Sequence, residues 1–304
     1  MDGTIDRGGS ARMPAVVLVT GALGFVASRL IPQLAGRGAR VIALVRPGRE
    51  VEAVPALAGV EIRRGDLSRP ATLTGAFSGA GAIVHLAGLS LVPELVPVLL
   101  ADGVGAGVFV SSAGVYTRLQ SSGADRKRSG EAALRASPLA FTILRPSMIY
   151  GTPRDRNMVK LLRWLRRFPI VPAPLGGDTP QQPVHVDDLV DAILASLERP
   201  AAARGEYDVG GPQPLALRDV IDEAARALAR RAWILPVPLA PAHAAALLAR
   251  RLRLPFPVSP EQVLRLAESK AVDIEPARRD LGFSPRPFRD GIEAEARMLW
   301  EDRH

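Results

Sequence analysis

Short apolar runs alternate with helical stretches through the first half of the chain. The runs are rich in Val, Ile and Leu and lack the polar alternation of a one-sided sheet, so each is expected to be a strand buried on both faces. They are residues 15–20, 40–45, 60–64, 82–86, 107–111 and 141–145. Helix candidates between them are residues 24–36, 70–77, 91–102 and 126–135. This alternation predicts βαβ units and a doubly wound parallel α/β sheet.

The texture changes after Tyr150. Pro-rich connectors at residues 169–174, 236–241 and 255–260 separate helical stretches such as 187–198 and 217–230. A smaller, mainly helical region that leans on the parallel sheet is the simplest interpretation, with the boundary near residue 150.

Composition narrows the classes of function. The chain has 304 residues, no Cys and a net charge of +8. The lack of Cys excludes disulfides and thiolate chemistry and fits a reducing, cytoplasmic location. The basic charge is almost all Arg, scattered without interleaved aromatic residues, so nucleic-acid binding is not expected. No metal site is expected either, because the imidazoles lack ligand spacing; they are His85, His185, His243 and His304.

The sequence predicts neither a membrane-spanning segment nor a signal peptide. No run reaches the ~18 to 20 apolar residues that cross a bilayer. Residues 1–13 lack the apolar segment of a signal peptide and are expected to form a disordered extension.

A glycine-rich turn follows the first strand directly. Gly21 and Gly24, with the small Ala27, give a G-x-x-G-x-x-A spacing that opens an apolar-periodic helix. Gly21 permits the tight turn, Gly24 allows close approach of a pyrophosphate, and the helix N-terminus supplies amide donors. The turn therefore predicts a dinucleotide-binding Rossmann domain over residues 14–150.

The end of the second strand bears on the choice of dinucleotide. Folds that prefer NAD place a carboxylate there to bind the ribose 2′-hydroxyl, whereas this chain has Arg46. A guanidinium pairs well with a 2′-phosphate. NADP(H) is therefore expected in preference to NAD(H), with a solvated loop arginine as the alternative interpretation of Arg46.

Further motifs follow the later strands and extend over nearly the whole chain. They are Gly65-Asp66-Leu67, His85-Leu86-Ala87-Gly88, Ser111-Ser112-Ala113-Gly114-Val115-Tyr116, Leu144-Arg145-Pro146-Ser147-Met148-Ile149-Tyr150-Gly151 and Pro183-Val184-His185-Val186-Asp187-Asp188-Leu189. With the glycine turn, they make the chain resemble extended and atypical short-chain dehydrogenase/reductases, in particular the NAD-dependent epimerase/dehydratase family.

The resemblance implies a set of cofactor contacts. Asp66 and Leu67 are expected at the adenine, and Pro146 at the nicotinamide. The remaining cofactor contacts implied by the turn and the fourth strand are Leu23, Phe25, Val26, Leu86, Ala87 and Gly88. His185 matches a largely structural segment and is expected to be a packing or hydrogen-bonding residue.

The chemistry of the family implies a Ser, a Tyr and a Lys four residues after the Tyr. Ser112 matches the first role, and Lys127, followed by Gly130 and Glu131, matches the last. Lysine occurs only three times in the chain, which favours a specific role for this one. The position of the expected tyrosine is Gly123. Lys127 would bind the nicotinamide ribose and lower the pKa of a phenol, but the phenol is missing.

Three hypotheses account for the missing phenol. In the first, the protein is an enzyme whose proton transfer uses Lys127 or a water that it orients. In the second, it binds NADPH for structural or sensing purposes, like the reductase-like accessory subunit of respiratory complex I. In the third, a loop over residues 119–125 brings Tyr116 into the site. No tyrosine lies four residues before a lysine elsewhere in the chain.

The substrate is the least determined part. The resemblance implies a nucleotide sugar or a small carbonyl or hydroxyl compound, held in the region over residues 151–304. Candidate substrate contacts are Tyr116, Arg154, Arg156, Asn157 and Lys160. Residues 159–168 form a basic amphipathic stretch that is expected to pack on the domain, with contact to a membrane surface as the alternative. The sequence leaves open whether the protein forms a homodimer.

Overall fold

The computed structural model describes residues 13–49, 58–199, 204–252 and 260–301. Apart from Met13, the predicted N-terminal extension lies outside these residues, as does most of the third Pro-rich connector. None of the described helices is long and apolar enough to cross a membrane.

The strands are short and the central ones are mostly buried. They are β1 (Val16–Thr20), β2 (Arg40–Val45), β3 (Glu61–Arg64), β4 (Ala82–His85), β5 (Ala106–Val110), β6 (Ala140–Pro146), β7 (Ile149–Tyr150), β8 (Ile170–Pro174), β9 (Pro180–Gln181), β10 (Val184–His185), β11 (Glu206–Val209), β12 (Leu215–Ala216) and β13 (Trp233–Val237). Seven of them form one parallel sheet in the order β11-β6-β5-β4-β1-β2-β3. The predicted doubly wound parallel sheet is confirmed.

The helices lie on both faces of this sheet and in the C-terminal region. They are α1 (Phe25–Gly36), α2 (Val92–Ala101), α3 (Ser122–Ala136), α4 (Met158–Arg167), α5 (Val186–Glu198), α6 (Leu217–Ala227), α7 (Leu239–Arg251), α8 (Pro260–Leu266), α9 (Glu275–Leu281) and α10 (Phe288–Glu301). Three further two-stranded sheets, β10-β7, β12-β9 and β13-β8, lie outside the seven-stranded sheet.

Three apolar clusters form the core. On one face of the sheet, α1, α5 and α9 pack against the side chains that β1 and β2 direct to that side. On the other face, α2 and α3 pack against the alternate positions of the same strands. The third cluster joins α4, α6 and α10 around Tyr150 in the C-terminal region. Period-2 alternation along buried strands supplies both faces at once.

The seventh strand of the large sheet is β11, which lies in the sequence beyond the domain boundary expected near residue 150. β11 pairs in parallel with β6, with Tyr207 beside Leu144 and Val209 beside Pro146. Its residues alternate between half-buried and buried positions, which is typical of an edge strand. The sheet therefore extends beyond the segment over residues 14–150, and the C-terminal region contributes directly to it.

Candidate functional site

The glycine turn after β1 is built by close backbone approaches. Gly21 has φ +68°, and a Cβ on it would lie 2.9 Å from the carbonyl carbon of Leu86. The Gly24 amide donates to the Gly21 carbonyl at 2.8 Å. Because Gly24 begins α1 with no side-chain cap, the first amides of the helix remain free to donate. This open, uncapped helix end fits the pyrophosphate of a dinucleotide.

A buried histidine fixes the loop that faces this turn. The Nε2 of His85 donates to the Gly88 carbonyl at 3.1 Å, and its Nδ1 accepts from the Thr20 hydroxyl at 2.9 Å. Burial lowers the pKa of His85 to about 4, so the ring is neutral. Gly88 has φ +102°. The histidine thus ties β4 to β1 and shapes the segment over residues 86–88, a role that the motif alone did not indicate.

Basic side chains gather at the ends of β2 and β3. Arg46 is exposed directly after β2, and Arg64 ends β3 beside Val45. The Ser68 hydroxyl and amide, and then the charges of Arg46 and Arg69, lower the pKa of Asp66. The Leu67 side chain is buried in the core. Arg46 and Asp66 are therefore among the polar groups that this edge could offer to a ribose or its phosphate.

Ser112, just after β5, and Lys127, in the second turn of α3, lie close together. The Ser112 Oγ accepts from the Gly114 amide at 3.0 Å. A Cβ on Gly114 would lie 3.1 Å from the Ser112 Oγ and 3.9 Å from the Lys127 Nζ. Burial, and then the charge of Arg265, lower the pKa of Lys127. The structure thus brings together the serine and the lysine that the sequence singled out.

Gly130 and Glu131, which follow Lys127 in the sequence, explain how α3 is positioned. A Cβ on Gly130 would lie only 2.0 Å from the Leu89 carbonyl oxygen, so glycine is needed for the helix to approach this loop. Glu131 accepts from the Ser111 hydroxyl at 2.7 Å and from the Arg145 Nε at 2.9 Å. This buried ion pair anchors α3 to β5 and β6, and it fixes Lys127 relative to Ser112.

All three tyrosines of the chain are described, and each phenol is bound away from Lys127. The Tyr116 hydroxyl donates to Asp208 at 2.9 Å, and burial, followed by this hydrogen bond, raises the pKa of Tyr116 to about 12. The Tyr150 hydroxyl donates to the Phe288 carbonyl, and the Tyr207 hydroxyl to Asp280. The geometry therefore does not support the hypothesis that Tyr116 replaces the missing phenol.

A large cavity opens beside Ser112 and Lys127. Its volume is about 1060 Å³, and Pro146 and Gly123 line it together with these two residues. Gly123 lies in the first turn of α3 at negative φ, and the nearest atom to an added Cβ is the Ser121 Oγ at 3.8 Å. The position of the missing phenol is thus open space at the wall of the cavity.

The predicted substrate contacts divide into two groups. Asn157 and Lys160 line the cavity, whereas Tyr116, Arg154 and Arg156 are not among its lining residues. Arg154 instead reaches the glycine turn, where its Nη2 lies 3.5 Å from the Leu23 carbonyl oxygen. Its position after β7 gives no sign of this contact in the sequence, because the approach depends on how the C-terminal region folds back.

Sequence reasoning missed two cations of the cavity. Arg265 and Lys270 line it from α8 and the segment after it. Arg265 donates to the Ser121 hydroxyl at 3.2 Å, and Lys270 pairs with Glu268 at 3.0 Å. No motif marks either residue, since they lie more than a hundred positions from Lys127 in the sequence.

His185 has the contacts of a structural residue. Its Nδ1 accepts from the Asp187 amide at 3.2 Å, which caps α5, and its ring packs edge-on against Tyr150 with centroids 5.4 Å apart. Burial lowers its pKa. These contacts are of the packing and hydrogen-bonding kind that the sequence predicts for this histidine.

Comparisons with known proteins agree with this geometry. Residues 21–165 match a family model described as NAD(P)H-binding. The chain is 31% identical over 204 residues to ceramide reductase of Caulobacter vibrioides, across 61% of the chain and 62% of that relative. It is 33% identical over 146 residues to subunit 9 of the NADH dehydrogenase [ubiquinone] 1 alpha subcomplex of Arabidopsis thaliana, across 47% of the chain and 36% of that relative.

The whole fold also has solved counterparts. The structure of MoeE5 in complex with UDP-glucose and NAD matches with a TM-score of 0.72 and 21% identity, over 95% of this chain and 99% of that one. The chain spans less than two thirds of ceramide reductase, whereas this structural match is nearly complete in both directions. Residues 21–165 are therefore similar to an NAD(P)H-binding family, and the chain as a whole shares the fold of this solved structure.

Proposed function

We propose that the protein is an NADP(H)-dependent oxidoreductase that acts on a carbonyl or hydroxyl compound. Its active site would work without a catalytic tyrosine. The observation that carries this proposal is the meeting of Ser112 and Lys127 across Gly114, at the wall of a cavity that Pro146 also lines. The chain contains no Cys, which fits a reducing compartment, and we propose the cytoplasm as its location.

The cofactor site follows from the strand ends. The uncapped start of α1 would hold the pyrophosphate, with the Arg154 guanidinium beside Leu23 as a counter-charge. Arg46 would pair with a 2′-phosphate, and Lys127 would hold the nicotinamide ribose. When bound, the nicotinamide supplies or accepts the hydride.

The residues of the chain itself would orient the substrate and handle the proton. The Ser112 hydroxyl accepts from the Gly114 amide, so its own proton is free to bond a substrate oxygen. Burial and Arg265 bring the pKa of Lys127 down from its usual value, which makes its ammonium a better proton donor to a forming alkoxide. Proton transfer is thus assigned to Lys127, directly or through a water.

The relatives support this class of reaction. Ceramide reductase is named as a reductase, and MoeE5 is solved with UDP-glucose and NAD. Both kinds of substrate carry the hydroxyl or carbonyl group that such a site requires. A nucleotide sugar therefore remains the alternative substrate within the same proposal.

A second candidate function is the non-catalytic binding of NADPH. The observation that favours it is the absence of a phenol at Gly123, with all three tyrosines bound elsewhere. Likeness to a subunit of NADH dehydrogenase over 47% of the chain gives it further support. In this role Lys127 would only bind the ribose.

A substitution of Lys127 distinguishes the two proposed functions. Turnover of NADPH is measured on a panel of carbonyl compounds for Lys127→Met, with Lys160→Met as the matched loss of a cation from the same cavity. An enzyme should lose at least about a hundredfold of its rate in Lys127→Met, the usual contribution of a general acid, and far less in Lys160→Met. A wild-type protein that binds NADPH but turns over no compound of the panel would contradict the enzyme proposal.

A further inference from the structure

The cavity has a polar end and an apolar end. Ser112, Lys127 and Arg265 lie together at the first, because Arg265 acts on Lys127 electrostatically and donates to Ser121, at the start of α3. The apolar end is formed by side chains of α4, α6, α8 and β8, namely Leu161, Trp164, Val171, Val220, Ile221 and Val263. Val220 and Ile221 are almost completely buried in the third core cluster. Leu161 and Trp164 are half-buried, so a substrate that fills this cavity must offer apolar surface to these two side chains.

One face of the β13-β8 pair extends this apolar surface outward. Val237 and Pro174 are paired in register and both line the cavity. Alternation along a strand places Leu235 and Trp233 on the same face as Val237. These two side chains are 52% and 68% exposed, and Trp233 pairs with Ile170, which is 51% exposed. The surface therefore continues from the cavity to the outside of the molecule.

This arrangement suits a hydrocarbon chain better than a nucleotide sugar. A nucleotide sugar has polar groups along its whole length, and each one buried against Val, Ile or Leu without a partner costs free energy. A hydrocarbon chain instead gains about 0.8 kcal/mol for every methylene that leaves water, which corresponds to about fourfold in affinity. The other cations that line the cavity are Lys160, which is exposed beside Leu161 on α4, and Lys270, which is already paired with Glu268.

We infer that the substrate is an amphiphile, with its carbonyl or hydroxyl group at Ser112 and Lys127 and a long hydrocarbon chain along the apolar end of the cavity toward Leu235 and Trp233. The inference rests on the proposed function for the position of the reacting group. The hydrocarbon chain itself is assigned from the lining of the cavity.

Binding of methyl ketones from butanone to decanone tests the inference without any turnover. Calorimetric titration of the full chain saturated with NADP⁺ should show affinity that rises by up to about fourfold for each added methylene until the cavity is full. Equal affinities across the series would overturn the inference. Tighter binding of UDP-glucose than of decanone would overturn it as well.

A matched pair of variants on α7 tests where the hydrocarbon chain of the ligand lies. Ala245 lines the cavity, whereas its exposed neighbour Ala244 does not. Ala245→Trp should weaken decanone binding by at least about tenfold, equivalent to the loss of about two methylenes of contact, and leave butanone unchanged. Ala244→Trp should alter neither. Equal effects of the two variants on decanone would overturn the assignment, and unchanged NADP⁺ affinity in both checks that they are folded.

The outcomes separate this inference from the proposed function. If the longer ketones bind more tightly but no carbonyl compound oxidises NADPH, the apolar site stands and the enzyme proposal fails. If small carbonyl compounds are reduced while the ketone series shows equal affinities, the enzyme proposal stands and the amphiphile is wrong.

Discussion

The two sides of the site are built in different ways. The cofactor side is made by backbone in close approach, as where a Cβ on Gly21 would lie 2.9 Å from Leu86. The substrate side is a cavity of about 1060 Å³ walled by side chains from α3, α4, α6, α7 and α8. A site made by backbone leaves few residue choices, so its sequence is recognisable. A site made by distant side chains can change its specificity without any change in fold.

The largest effect is expected at the tightest contact of the cofactor side. Gly21→Ala adds a Cβ at positive φ, about 1 to 2 kcal/mol of strain, and an overlap with Leu86 that costs a further 1 to 3 kcal/mol or so. Chemical denaturation should show this loss of stability, and NADPH titration a loss of binding. Gly36→Ala is the control, since nothing lies within 4 Å of its Cβ and its φ is not positive. Similar behaviour of the two variants would contradict the close-approach explanation.

The next effect concerns the open space on the substrate side. Gly123→Tyr places a phenol four residues before Lys127, whose charge should lower the pKa of the phenol. Turnover of a carbonyl compound should rise by roughly 10² to 10⁴, the usual contribution of a general acid. Gly123→Phe fills the same space without the hydroxyl and should give no gain. An equal rate in the two variants would show that the phenol has no catalytic role at this position.

A smaller effect on cofactor binding is expected at Arg46, where a side chain and not the backbone is proposed to contact the cofactor. Arg46→Asp should weaken NADPH binding by about 1.5 to 3 kcal/mol, the usual range for a hydrogen bond to a charged group, and bring NADH to comparable or better affinity. Arg49→Asp, in the same exposed loop, makes the same change of charge. If both variants alter the NADPH to NADH ratio equally, the preference is a general field effect and Arg46 has no specific contact.

The smallest effect concerns a buried carboxyl group on α10. Glu295 accepts from the Gly151 amide at 2.8 Å, and burial, followed by its interaction with Asp155, raises its pKa to about 10. Because the folded state holds this proton above the usual pKa, stability is fully present at low pH and declines as pH rises toward 10. Glu295→Gln removes this titration. It should be more stable than wild type by about 1 to 3 kcal/mol at pH 8, with little difference near pH 4.

Thermal unfolding of both proteins across this pH range measures the difference. A constant gap between Glu295→Gln and wild type from pH 4 to pH 8 would mean that the carboxyl does not titrate in this range.

What the sequence could predict follows the same division. The order of strands and helices could be read from hydrophobic periodicity, and the glycine turn from its spacing, because both are local. Ser112 was singled out by a motif that follows β5 and Lys127 by the Gly130-Glu131 pair after it, and the fold brings the two residues close together. Arg265 could not be found, because only the packing of α8 carries it to Lys127.

Two residues illustrate why motif position alone is insufficient. Tyr116 belongs to the same motif as Ser112, but its phenol turns to Asp208 across β6 and β11. Arg154 follows the segment over residues 146–148, which lines the cavity, but its guanidinium turns back to Leu23. Long side chains choose among several partners within reach, and that choice depends on charges supplied by remote segments.

The pairing of β11 with β6 has a consequence for how the molecule folds. A nascent chain that has emerged only as far as the end of α4 exposes β6 as an open edge, with unpaired backbone groups along an apolar strand. Such an edge favours pairing with other chains until β11 arrives. The segment that matches the nucleotide-binding family is therefore synthesised well before β11, and the edge of β6 is covered only when β11 is available to pair with it.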